Sequence, residues 1–183
     1  MKIFKFGGAS VKDAEGVKNV LHVLNTVGHE DVLLVISAMG KTTNALEVVI
    51  KNYFDKSKEL HASLQEVRKY HNQILLDLFE DEDHDVFFDV NAHFDDLEYF
   101  IRSNKSPNYS FVYDQVVSIG ELVSTTIVSH YFNYSGLKNN WIDVRPLIKT
   151  DNNYRDAQVD WETTQKLISK GVKKKTLNIT QGF

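Results

Sequence analysis

Two adjacent glycines close to the N-terminus are the most chemically suggestive feature of the sequence. The segment Lys5–Ser10 reads KFGGAS and follows residues 2–6, which are predicted to form a strand. Gly7 and Gly8 would let the backbone turn tightly and bring bare N–H groups close to an anion, and the positive end of the helix-like segment that follows would point at the same spot. Lys5 adds a mobile charge, which suits the holding of a transferring phosphoryl group. The alternative is a simple glycine turn with Lys5 in solvent.

A second group of small and hydroxyl-bearing residues follows the next predicted strand. Residues 31–37 are a continuous apolar run typical of a buried parallel strand, and Ser37–Asn44 reads SAMGKTTN. Ligands of open α/β sheets bind beyond the carboxyl ends of the strands, where both loops would meet. The hydroxyls and backbone N–H groups could therefore hold a small polar ligand. Thr42 or Thr43 could also cap the following helix, and the two roles are compatible.

A third motif lies within a segment with helical periodicity. Ser118–Ser124 reads SIGELVS. Glycine costs about 1 kcal/mol in a helix interior, so Gly120 indicates close approach by another backbone or by a ligand. Glu121 beside it could offer a carboxylate to an ammonium group, although a glutamate on a helix is usually just solvated.

The order of predicted elements is typical of an α/β fold with a mostly parallel sheet. The strand at 2–6, a helix over Ala14–Val27 ending at Gly28, and the strand at 31–37 form a βαβ unit. Three helices are predicted between residues 43 and 103, interrupted near Phe54–Ser57 and Glu80–Asp85. The remaining elements are a helix over Tyr113–Tyr134, a strand over Asn140–Val144, a helix over Asp160–Gly171 capped by Asp160, and a strand over Thr176–Gln181.

Composition narrows the classes of partner. The chain has 183 residues, a net charge of -4 and 42% hydrophobic residues, which is ordinary for a globular protein and argues against nucleic acid or an anionic membrane as main partner. It has no cysteine, and its seven histidines lack metal-site spacing, so we predict no metal residue. Without a long apolar run, a cytoplasmic location is expected.

Together the motifs resemble the aspartate kinases of the amino-acid-kinase family. The likeness rests on five segments in the same order along essentially the whole chain: KFGGAS at 5–10, SAMGKTTN at 37–44, SIGELVS at 118–124, DVR at 143–145 and TQGF at 180–183. One departure is Ala9, where many members have threonine. The resemblance implies a three-layer αβα fold of the carbamate-kinase-like type with a helical insertion. It also implies transfer of the γ-phosphoryl group of ATP to the β-carboxylate of L-aspartate.

The resemblance also implies roles for individual residues. Lys5 would stabilise charge on the transferring phosphoryl group, and Gly7 and Gly8 would provide backbone donors. Magnesium would be held mainly by the ATP phosphates. Four positions match the aspartate site: Ser37, Thr43, Glu121, which would hold the substrate's α-ammonium with room left by Gly120, and Phe183. Asp143 and Arg145 match another motif, where an ion pair that braces the loop is as reasonable as ligand contact.

The family pattern continues beyond TQGF into a substrate-binding arginine, a GRGGSD motif and the nucleotide-binding half. We therefore expect residues 1–183 to be the N-terminal, aspartate-binding part of such a domain, with a helical region at about 43–134 and a fold incomplete at the C-terminus. The nucleotide-binding half and an ACT regulatory domain would be absent. The chain alone is expected to have little or no kinase activity, and a full-length form is expected to be a homo-oligomer. The alternative is a non-catalytic form that binds aspartate or pairs with another subunit.

Overall fold

The computed structural model describes residues 1–182, and its centre is a four-stranded, fully parallel sheet. The strand order is β1-β2-β4-β3. The strands are β1 (Lys2–Phe6), β2 (Val32–Ile36), β3 (Asn139–Ile142) and β4 (Leu177–Gln181). All four carboxyl ends therefore lie at one edge of the sheet, as the sequence predicted.

Six α-helices connect and cover these strands. They are α1 (Ala14–Val27), α2 (Thr42–Phe54), α3 (Leu60–Leu78), α4 (Asp85–Ser103), α5 (Tyr109–Tyr134) and α6 (Trp161–Gly171). A single turn of 3-10 helix over Gly8–Val11 precedes α1. The predicted α/β class, the βαβ unit and the three helices between residues 43 and 103 are confirmed.

Local sequence explains most helix ends. Asp13 accepts the Gly16 N–H at 2.8 Å at the start of α1, and Gly28 ends that helix with φ of 87°. Asp160 caps α6 by accepting the Thr163 N–H at 3.1 Å, as predicted.

Two predicted boundaries were wrong. Helix α5 begins at Tyr109 rather than Tyr113, because the Asn108 side chain accepts the Phe111 N–H and caps an earlier start. Strand β3 ends at Ile142, so Asp143 belongs to the loop beyond the strand rather than to the strand.

One face of the sheet packs on α5. Phe4, Leu34, Ile179 and Trp141 lie side by side in the parallel register, so they share this face. Leu34 and Ile179 are fully buried there, and the core continues through the apolar sides of α2 to α5. Helix α5 therefore sits where it can reach the ends of several strands at once.

Within residues 1–182, no helix is both long and apolar enough to cross a bilayer.

Candidate functional site at the carboxyl edge of the sheet

The glycine turn after β1 is packed tightly against the loop after β2. The Gly40 N–H donates to the Gly8 carbonyl at 3.0 Å, and a side chain at Gly8 would place its Cβ 2.5 Å from the Ala38 carbonyl oxygen. Gly7 is different, because nothing lies within 4 Å of the position that its Cβ would take. Gly8 is thus required by packing, whereas Gly7 borders open space.

The helix expected directly after the glycines is displaced. The 3-10 turn over Gly8–Val11 comes first, and the start of α1 is already capped by Asp13. Helix α1 therefore does not begin directly after the glycines. The N–H groups available to an anion here are those of the turn itself.

Lys5 lies on β1, the strand at one margin of the sheet, and its side chain is exposed. Its positive charge is close enough to lower the pKa of Glu121, although this is the weakest of the influences on that carboxyl group. The structure therefore brings Lys5 and Glu121, which are far apart in sequence, towards the same edge.

Ser37 and Thr43 lie in the loop after β2 and in the first turn of α2, and both are half-buried. The Ser37 N–H donates to the Phe6 carbonyl at 3.1 Å, which continues the pairing of β1 with β2. Neither Thr42 nor Thr43 provides a side-chain cap for α2. The Thr42 hydroxyl turns back and donates to the Met39 carbonyl at 2.6 Å, so the predicted capping role is wrong.

Helix α3 braces these loops from the side. The Tyr70 hydroxyl donates to the Lys12 carbonyl and would be 2.5 Å from a Cβ at Gly40, whose φ is +54°. His71 lies one residue further on, with Nε2 3.3 Å from the Thr42 hydroxyl. Burial lowers the pKa of His71 to about 4, so its ring is neutral at neutral pH.

Glu121 connects the ends of two strands. Its Oε2 accepts the Gly182 N–H at 2.8 Å, directly after β4, and the Ala38 N–H after β2 is also hydrogen-bonded to the carboxylate. Burial raises the pKa of Glu121, while these two N–H groups act in the opposite direction and favour the charged form. A half-buried carboxylate at the ligand-binding edge of a parallel sheet is not an ordinary solvated glutamate.

Gly120 makes room for protein rather than for a ligand. A Cβ at this position would lie 3.0 Å from Thr42 Cγ2, 3.1 Å from Ala38 Cβ and 3.2 Å from Leu46 Cδ1. The missing side chain lets α5 pack closely on α2 and the loop before it. The expectation that Gly120 leaves space for a bound ligand is corrected accordingly.

Ser124 and Gln181 also connect the elements of the site, and neither was predicted from the sequence. The Ser124 hydroxyl donates to the Ser37 carbonyl at 2.8 Å. The Gln181 side chain donates to the Thr125 hydroxyl at 2.7 Å and accepts the Val144 N–H at 2.8 Å. The available signal for Ser124 was its place three residues after Glu121, on the same side of a largely apolar helix, and no local pattern marked Gln181.

Asp143 and Arg145 pair with each other. Arg145 Nη2 lies 2.6 Å from Asp143 Oδ2, and the Arg145 Nε–H also donates to this carboxylate. Arg145 holds the pKa of Asp143 below its usual range despite partial burial. The sequence left open whether Asp143 and Arg145 brace the loop as an ion pair or contact a ligand, and the structure shows the ion pair.

No three His, Cys, Asp or Glu side chains in the described part of the chain converge on a point where they could hold a metal ion. Phe183, the remaining predicted site residue, lies outside the described residues.

A parallel sheet whose carboxyl edge combines a glycine turn, a lysine, hydroxyl-bearing loops and a half-buried glutamate defines an α/β protein suited to a small charged ligand. The chain belongs to the amino acid kinase family, which it matches over residues 1–183.

Curated relatives are aspartokinases or bifunctional enzymes that contain one. The chain is 29% identical over 150 residues to bifunctional aspartokinase/homoserine dehydrogenase 2 of Escherichia coli, covering 82% of this chain and 18% of that protein. It is 24% identical over 182 residues to the aspartokinase of Chlamydia trachomatis, covering 99% of this chain and 39% of that one. The chain therefore spans well under half the length of these relatives.

Solved structures confirm the fold. Escherichia coli aspartokinase III in complex with lysine and aspartate superposes with a TM-score of 0.84 at 23% identity, covering all of this chain and 41% of that one. The aspartate kinase of Clostridium acetobutylicum gives a TM-score of 0.78 at 19% identity, covering 38% of its chain.

Proposed function

We propose that this chain provides the aspartate side of an aspartate kinase, which converts ATP and L-aspartate to ADP and 4-phospho-L-aspartate. A β-carboxylate oxygen of aspartate forms a bond to the γ-phosphorus while the bond from that phosphorus to the ADP oxygen breaks. The observation that carries the proposal is the presence of Lys5 and Glu121 at the same sheet edge in a chain whose relatives are aspartokinases.

The phosphoryl end of the site is assigned to Lys5, Gly7 and Gly8. Phosphoryl transfer to a carboxylate needs no general base at neutral pH, so positioning and charge stabilisation are the main requirements. An exposed ammonium group beside a turn with open space at Gly7 fits these requirements. Gly8 contributes by permitting the close contact that shapes the turn.

The substrate end is assigned to Glu121, Ser37 and Thr43. Two N–H groups favour the charged form of the Glu121 carboxylate, and a carboxylate has lone pairs enough to accept an ammonium group as well. The two hydroxyls offer neutral partners for the substrate's carboxylates. Phe183 is assigned to the same pocket on its motif alone.

ATP is the proposed second substrate, and a structural relative has been solved with aspartate and ADP. Magnesium is proposed to be held mainly through the ATP phosphates. The proposed setting is the first step of lysine, threonine and methionine synthesis in the cytoplasm, by a homo-oligomer when full length.

Because the chain spans only part of its relatives, we propose that it forms the N-terminal, aspartate-binding part and that the nucleotide-binding half and an ACT domain are not among these residues. The 183-residue chain is expected to make little or no aspartyl phosphate alone.

The test is a chimera in which residues 1–183 replace the matching segment of Escherichia coli aspartokinase III. Aspartyl phosphate is trapped with hydroxylamine in the presence of ATP and Mg²⁺, with and without L-aspartate. Aspartate-dependent product from the chimera supports the proposal. Lys5→Met in the chimera should lower kcat by roughly 100- to 1,000-fold, the usual effect of removing one charge-stabilising donor. Lys2→Met, on the same strand, is the matched control and should change little.

A second candidate is a non-catalytic aspartate-binding or subunit-pairing module, since Glu121 and the hydroxyls at the sheet edge would suit binding of an amino acid without its phosphorylation. Calorimetry of the 183-residue chain with L-aspartate distinguishes the two. Binding by the chain together with a folded but inactive chimera would favour the module, and a folded chimera that neither binds nor phosphorylates aspartate would refute both.

A further inference from the structure

Helix α5 is attached to the sheet by a set of polar side chains on one side of the helix. Ser124 and Thr125 lie three and four residues after Glu121, and Ser129 lies four residues after Thr125, so the four side chains lie on one side of the helix. Ser129 donates to Asn139 Oδ1 at 2.7 Å at the start of β3, and Thr125 is bonded to side chains of β3 and β4. Ser124 and Glu121 reach backbone groups directly after β2 and β4.

Gln181, the last residue of β4, connects this helix to the loop after β3. The residue is 3% exposed, and both the nitrogen and the oxygen of its amide are hydrogen-bonded. Nε2 donates to the Thr125 hydroxyl at 2.7 Å, and Oε1 accepts the Val144 N–H at 2.8 Å. Its neighbour in sequence is Gly182, whose N–H is bonded to Glu121.

The hydroxyl of Thr125 has its orientation fully specified. It accepts from Gln181 Nε2 and, at 3.0 Å, from Trp141 Nε1, and it donates to the Glu121 carbonyl at 2.9 Å. A hydroxyl has one proton and two lone pairs, so these three bonds satisfy it. Gln181 is therefore linked through one hydroxyl to the backbone of Glu121 itself.

We propose that Gln181 is a positioning residue for the Glu121 carboxylate, fixing the end of β4 against α5 so that the Gly182 N–H meets Oε2. The Gln181 amide acts on Glu121 by two routes. One is through the Thr125 hydroxyl to the Glu121 carbonyl, and the other is through Gly182, the next residue, whose N–H donates to the Glu121 carboxylate. The consequence of this positioning for substrate binding rests on the proposed function, in which the Glu121 carboxylate binds the ammonium group of aspartate.

The test measures the titration of the Glu121 carboxyl group and the hydrogen exchange of the Gly182 N–H, with no ligand present. The side-chain carboxyl of Glu121 is titrated by ¹³C NMR in the 183-residue chain, with Glu121→Gln to assign its signal, and hydrogen exchange of the Gly182 N–H is followed in parallel. Gln181→Leu should move the titration of Glu121 upwards, since a hydrogen bond to the charged form is lost. It should also speed exchange at Gly182 about tenfold, as expected for one lost hydrogen bond.

Thr180→Val is the matched control. Thr180 is the adjacent buried residue of β4, and its hydroxyl donates to the Ile142 carbonyl at 3.0 Å, so its loss weakens the same strand without touching α5. We expect it to leave the titration of Glu121 unchanged. Thr125→Val should reproduce the effect of Gln181→Leu, and Thr125→Ser, which keeps the hydroxyl, should not.

Equal titrations of Glu121 in Gln181→Leu and Thr180→Val would overturn the proposal. If Gln181→Leu fails to fold, the Thr125→Val and Thr125→Ser pair decides the same question. Because no ligand is present, a negative result here is separate from a failure of the kinase proposal. In an active chimera, Gln181→Leu should raise the KM for aspartate more than it lowers kcat.

Discussion

The Glu121 carboxylate accepts the backbone N–H of Gly182 at 2.8 Å, which joins the middle of α5 to the end of β4 across 61 positions of the sequence. Glu121 thereby belongs to the framework of the edge as well as to the candidate site. Burial disfavours the charged form of this carboxyl group, and the N–H groups of Gly182 and Ala38 partly offset that effect.

The first prediction concerns stability and pH. Burial raises the pKa of Glu121 above its unfolded value, so the stabilising contribution of the neutral acid is complete below the unfolded pKa of about 4.5 and is lost as pH rises through the folded pKa. Glu121→Gln should remove this component. Urea unfolding of both proteins from pH 4 to pH 7 measures the difference, and parallel curves would contradict the prediction.

The second prediction separates the two glycines. Gly8→Ala should destabilise the chain by about 2 kcal/mol, because its Cβ would meet the backbone oxygens of Ala38 and Gly40. Gly7→Ala should leave stability nearly unchanged, since its Cβ would enter open space at an ordinary φ of −76°. Denaturant unfolding compares the pair, and similar losses in both would be inconsistent with the packing described. Any loss of activity in Gly7→Ala within the chimera would then report on ligand contact.

The third prediction concerns His71. Burial lowers its folded pKa to about 4, below the 6.5 of an unfolded histidine. The unfolded chain therefore takes up a proton first, and stability should fall as pH drops from about 6.5 to about 4. The full difference corresponds to about 3 kcal/mol. His71→Asn should be less stable than wild type at pH 7 but should lose less stability on acidification. Unfolding at pH 7 and pH 5 tests this, and an equal loss in the two proteins would count against it.

The fourth prediction concerns Ser124. Ser124→Ala removes the hydroxyl bonded to the Ser37 carbonyl and should cost about 1–2 kcal/mol, because that carbonyl loses a partner in a largely buried place. Ser118→Ala is the matched control, since the Ser118 hydroxyl donates to the Gln115 carbonyl of its own helix at 3.1 Å. Unfolding free energies of the two variants should therefore differ, and equal values would show that the link to Ser37 contributes little.

The α/β class, the helices and the strands at the site could be read from the sequence, because apolar spacing and caps such as Asp13 and Asp160 act over a few residues. The structure brings Lys5 and Glu121 together, but the sequence reached that conclusion only through the resemblance. Gly120 shows the limit clearly: its cost in a helix signals a close neighbour, but only the tertiary structure shows that the neighbour is α2. The bonds of Gln181 span 37 and 56 positions, a distance over which local pattern has no information.

Within residues 1–182, no polar side chain of α5 is hydrogen-bonded to β1. Gly182, Ser37 and Gln181 are all connected to that helix, whereas the glycine turn is joined to the rest of the edge through β2, by bonds such as Gly40 N–H to the Gly8 carbonyl. The two ends of the candidate site are therefore attached to the rest of the edge by different elements. Glu121 is bonded directly to the end of β4, whereas Lys5 and the glycine turn are held through β2 and the loop that follows it. Loss of a polar side chain of α5 should therefore disturb the end with Glu121 more than the end with Lys5.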